Sequence, residues 1–159
     1  MAMRDRLANR CYNNVKQVLN DLGWKYECFD DNLRVKFGVY GEDLSSNYYL
    51  TISAEKETAT LAAYLPYRTP RQNTDNLARA ISMANSRFYN GSFEFNAKNR
   101  EICFRVTTLL LGGMELTCEA IKYMIDVACD MVDKYDDKFF AVAKGYLSLD
   151  DFYELITNK

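Results

Sequence analysis

Four successive stretches between Trp24 and Leu65 alternate apolar and polar residues with period two. That alternation marks strands with one buried face. No helical stretch separates them, and a parallel pair needs a long crossover, so the strands run antiparallel. Trp24, Tyr26 and Cys28 alternate with Lys25, Glu27 and Phe29. Asp30-Asp31-Asn32 is a turn signal, after which Leu33, Val35 and Phe37 alternate with Arg34 and Lys36. A loop with Gly38, Gly41, Asp43, Ser45 and Ser46 leads to a third strand on Tyr48, Leu50 and Ile52. Beyond the turn at 54–57, Ala59, Leu61, Ala63 and Leu65 share one face of a fourth.

Helical spacing flanks this meander. Leu7, Cys11, Val15, Val18, Leu19 and Leu22 predict a helix over 4–22, with Gly23 just past its end. Pro66 and Pro70 lead out of the sheet. Leu77, Ala80, Ile81, Ala84 and Phe88 then predict a second helix, capped by Asn73 or Thr74. Phe93 and Phe95, followed by Ile102, Phe104 and Val106, form a second hairpin. Gly112-Gly113 opens a long third helix burying Met114, Cys118, Ile121, Met124, Ile125, Ala128 and Val132. Ser148, with Asp151 three residues on, starts a short last helix. The order is α-ββββ-α-ββ-α-α, an α+β fold expected to form a single domain over 1–159.

Composition narrows the chemistry. The 159 residues include no histidine, which removes Ser-His-Asp and Cys-His catalysis and histidine metal ligands. Cys11, Cys28, Cys103, Cys118 and Cys129 are odd in number and contain no C-x-x-C, which reads as five small buried residues in a reducing cytosol. No apolar run follows Met1 to Arg6, and Thr108 to Leu111 is too short to span a bilayer, so neither a signal peptide nor a membrane segment is expected. Asp130, Asp133, Asp136 and Asp137 read as a solvated helix face and lack the spacing of a calcium loop. Gly112-Gly113 lacks a phosphate-loop context and reads as a turn. No catalytic residue, metal ligand or cofactor site is expected, and the chain does not read as an enzyme.

Charge is unevenly spread. Residues 1–114 carry 15 basic and 12 acidic side chains, and residues 115–159 carry 5 and 10, giving −2 for the whole chain. A pI near 5.3 and the lack of a dense basic stripe argue against nucleic acid. If Ala59, Leu61, Ala63 and Leu65 face the helices, Thr60, Ala62 and Tyr64 face outward, and strand pairing adds Tyr49 and Thr51. This outer face reads as low in charge and rich in tyrosine, a surface suited to a protein partner. A β-propensity surface of threonine and tyrosine is the plainer alternative.

The stretch Leu77-Ala78-Arg79-Ala80-Ile81-Ser82-Met83-Ala84-Asn85 is followed by Gly91-Ser92-Phe93-Glu94-Phe95, by Arg100 to Val106 with Phe104 and Arg105, and by Gly112-Gly113 before the long helix. This series resembles the YbjN family of bacterial sensory transduction regulators, from Arg10 to about Gly145. The resemblance implies the fold of type III secretion chaperones and a cytoplasmic, homodimeric protein with a chaperone-like or regulatory role toward a protein client. It implies no catalytic residue. The alternative is a small-molecule sensor domain in signal transduction, in which Arg105, Arg79 and Asn85 would converge on a ligand.

Overall fold

Alternation places Val35, Phe37, Tyr48, Leu50, Ile52, Ala59, Leu61 and Ala63 on one side of a sheet, and all eight are buried in the computed structural model, which describes residues 3–40 and 45–158. The elements are α1 (Met3–Asp21), β1 (Tyr26–Phe29), β2 (Arg34–Tyr40), β3 (Ser45–Ser53), β4 (Thr58–Tyr64), α2 (Thr74–Asn85), β5 (Ser92–Asn96), β6 (Glu101–Leu109), α3 (Cys118–Lys144) and α4 (Leu149–Thr157). The six strands pair antiparallel in the order β1-β2-β3-β4-β6-β5. The chain leaves β4, crosses through α2 to the far edge as β5, and returns as β6 beside β4. The helices lie against the apolar side: α1 over β2 and β3, α3 over β4 and β6, and α2 against β5, α3 and α4. Among the described residues no helix covers the other face of the sheet, which antiparallel sheets permit to stay open.

The core closes on a chain of aromatic rings. Phe93 on β5 meets Phe104 on β6 at 5.0 Å and Phe139 on α3 at 4.9 Å between centroids. Phe139 stacks at 5.8 Å on Phe152, the buried residue that anchors α4. Ser148 caps α4, its hydroxyl accepting from the Asp151 amide at 3.1 Å.

Four expectations need correction. The third helix does not open at the glycine pair. Gly112 and Gly113 have φ of 66° and 81°, outside helical geometry, and belong to a short 3-10 turn. The helix begins at Cys118, capped by Thr117, whose hydroxyl accepts from the Ala120 amide at 3.1 Å. Met114 is therefore not part of its buried face and is 62% exposed. The segment before the cap is instead tied to α1, because the Leu116 amide donates to the Cys11 sulfur at 3.3 Å.

The loop after Phe37 is shorter than its composition suggests. Gly38 pairs with Asn47 and Tyr40 with Ser45, so pairing already paid for by the flanking residues carries the ladder through weak strand formers. The predicted loop residues Gly41 and Asp43 lie outside the described residues. The cysteines are not all buried: Cys11 and Cys103 are, Cys118 and Cys129 are half-buried, and Cys28 is exposed on the edge strand β1. Finally, Asn73 sits at the start of α2 with φ 57° and makes no side-chain cap there. Its amide reaches the Ala143 carbonyl at 3.4 Å, and Thr74 donates to the Arg71 carbonyl at 3.0 Å.

Candidate functional site: the open face of the sheet

The register gathers the outward residues of four strands into rows. Lys36, Tyr49, Ala62 and Arg105 form one row across β2, β3, β4 and β6, and Arg34, Thr51, Thr60 and Thr107 form the next. Asn47, Tyr64 and Cys103 form a third. Thus Tyr49, Thr51, Thr60, Ala62 and Tyr64 stand together on the open face and are half-buried. All five line a concave trough of about 840 Å³. Tyr67 and Arg68, in the segment leaving β4, line its side.

Local contacts stiffen this surface. The Tyr49 and Tyr64 rings meet edge to face, 5.8 Å apart at 89°. The Arg34 guanidinium lies 5.3 Å from the centre of the Tyr49 ring, and its Nε donates to the Thr51 hydroxyl at 3.1 Å. The Thr60 and Thr107 hydroxyls are 3.2 Å apart. Burial pushes the Tyr64 phenol above its usual range, an effect partly offset by Arg105. The tyrosine therefore offers a neutral ring and a hydroxyl to whatever covers it.

The face is less neutral than the sequence reading held. Arg34, Lys56, Arg68 and Arg105 line the trough with Glu101. The signal was present: Arg34 alternates with Leu33 and Val35, and Arg105 with Phe104 and Val106, so each must face away from the core. What the alternation does not show is that the register sets these cations around one floor.

The remaining motif residues build the fold. Asn85 ends α2 and pairs with the Phe93 backbone twice: its amide donates to the carbonyl at 2.9 Å, and its side-chain oxygen accepts from the N–H at 2.8 Å. Gly91 has φ 77°, and a Cβ there would lie 2.5 Å from the Phe104 ring. Phe93 and Phe104 are buried. The spacing of Asn85, Gly91, Phe93 and Phe104 thus encodes a helix end clamped to a strand whose aromatic neighbour fills the space left by the glycine. Arg105 is the exception, because it projects onto the open face and pairs with Glu94 at 3.1 Å. Arg79 is exposed on α2, on the helical side of the sheet, and Asn85 is spent on Phe93, so the three residues of the sensor reading do not converge.

Chemistry elsewhere is muted. Burial pushes the thiols of Cys11, Cys103 and Cys129 up, which disfavours the nucleophilic thiolate. Of the acidic run, Asp136 alone is half-buried with a raised pKa, through burial first and then its neighbours Asp137 and Asp133. Among the described residues no helix is long and apolar enough to cross a membrane.

An antiparallel six-stranded sheet covered by helices on one side and concave on the other defines the α+β class that includes two solved structures. A chain of the "Crystal Structure of the ExsC-ExsE Complex" superimposes with a TM-score of 0.63 at 14% identity, over 86% of this chain and 96% of that one. "YbjN, a putative transcription regulator from E. coli" superimposes at 0.58 and 12%, over 85% and 92%. The profile of the YbjN family, "Putative bacterial sensory transduction regulator", matches residues 12–141. The chain belongs to the YbjN family. No curated protein matches the sequence.

Proposed function

We propose that this protein is a non-enzymatic, chaperone-like or regulatory module that binds a protein partner on the open face of its sheet and works in the cytoplasm as a homodimer. The observation that carries this reading is the trough itself. Half-buried tyrosine, threonine and alanine cover its floor, and Tyr and Arg are the residue types favoured where protein surfaces meet. A structural relative in a complex, the ExsC–ExsE pair, is consistent with this fold hosting a protein partner. The lack of histidine and the burial-raised thiols favour binding over catalysis. A partner segment would lie along the face or add as a strand at the β1 or β5 edge.

The test is charge insertion. Tyr49→Glu and Tyr64→Glu each place a carboxylate on the trough floor. Each is expected to weaken partner capture or self-association by about tenfold or more, with an unchanged circular dichroism spectrum. Size-exclusion chromatography with light scattering reads self-association, and capture from the native cytosol followed by mass spectrometry reads the partner. Unchanged association in both variants would remove the sheet face from the account.

A further inference from the structure

The charges of the trough narrow the chemistry of the partner, on the footing that the open face is the docking surface proposed above. Arg34 on β2 stands on one side of the floor, and Arg105 on β6 stands on the other with Arg68 nearby. Lys56, in the β3–β4 turn, lines one end. The one carboxylate among the lining residues is Glu101, 3.6 Å from Arg68. Glu94, outside the lining, holds Arg105 at 3.1 Å. Among the described residues no carboxylate lies within ion-pair distance of the Arg34 or Lys56 side chain. A cationic trough on a chain of net charge −2 inverts the charge of the molecule at one place.

From this complementarity we infer that the open face docks an acidic, extended segment of a partner protein, with carboxylates reaching the arginines on both sides of the floor. β2 and β6 are three strand spacings apart, roughly 14 Å. An extended chain crossing the sheet covers that in about four residues, so acidic side chains about four positions apart reach both walls. Arginine suits the task, because its fork binds a carboxylate through two hydrogen bonds. The Arg105–Glu94 and Arg68–Glu101 pairs are solvent-exposed and weak, so an incoming carboxylate can exchange with them. A nucleic acid fits less well. Glu101 sits among the cations, and the two floor tyrosines pack on each other instead of offering parallel stacking platforms.

The experiment selects a displayed library of random peptides, about twelve residues long, on the full-length protein. The labelled winner is then titrated against wild type, Arg34→Gln, Arg105→Gln, the double variant and Tyr64→Glu, with labelled oligo(dT) in parallel. The expected winners are rich in Asp and Glu about four positions apart. They should lose about tenfold or more in affinity in the double variant, and lose affinity as salt rises from about 50 to about 300 mM. Tyr64→Glu should lose them too. Neutral winners that bind the double variant fully but fail on Tyr64→Glu would overturn the acidic partner and leave the docking face standing. Winners indifferent to every variant would overturn both. Oligo(dT) bound more tightly than any peptide, through the same arginines, would overturn the inference in favour of nucleic acid.

Discussion

At the scale of single residues, outward and inward side chains do different work. Tyr49 and Tyr64 are large and each is left partly uncovered, whereas Tyr48 and Tyr135 are buried in the core. Asp136 shows what burial costs a charge. Its folded pKa is raised, so the folded state takes up a proton more readily than the unfolded chain. Stability contributed by this group therefore falls as pH rises through the carboxylate range and stays reduced at neutral pH. Asp136→Asn removes that penalty. It should raise the melting temperature at pH 7, and the gain should fade as pH falls toward the ordinary aspartate range near about 4 and vanish below it, because the wild-type aspartate is protonated in the folded state before it is in the unfolded chain. A gain that persists undiminished in acid, measured by differential scanning calorimetry, would assign the effect to something other than ionisation.

At the scale of elements, the junction of α2, β5 and β6 is where sequence spacing is converted into geometry. Two hydrogen bonds between the Asn85 side chain and the Phe93 backbone, one donated and one accepted by Asn85, fix the angle at which the chain turns from helix to edge strand. β5 has a partner strand on one side alone, so this clamp substitutes for part of a missing ladder. Asn85→Ala leaves the Phe93 N–H and C=O without these partners and should destabilise the fold by about 2 kcal/mol, with the chemical-denaturation slope unchanged. A change well under about 0.5 kcal/mol would mean that water replaces the clamp at no cost. The element order was legible because each switch between period two and helical period is local. The start of α3 was not. Met114 and Cys118 have helical spacing, but the positive φ of the glycine pair and the cap at Thr117 delay the helix.

At the scale of the whole molecule, one hydrophobic cluster joins residues from α1 through α4, including Val15, Leu50, Phe104, Phe139 and Phe152. On that basis the chain is proposed to unfold as a single domain. Near- and far-ultraviolet circular dichroism should melt together in one transition, and an early separate loss of helix would detach a subunit of the structure from the core. The same closure leaves one side of the sheet uncovered. The trough exists because, among the described residues, the helices all lie on the other side.

The sequence by itself determined the element order, the antiparallel meander and which side of each strand turns inward. These follow from periodicity, which depends on neighbours in the chain. It also determined that histidine chemistry is absent. The family motif could be read as well, although its meaning could not: that Asn85 holds Phe93 and that Gly91 makes room for Phe104 are contacts between separate elements. Only the tertiary structure decided that Arg34 and Arg105, 71 positions apart in sequence, flank one neutral floor. Alternation assigns a side chain to a face, whereas register across four strands assigns it a neighbour, and a binding surface is made of neighbours.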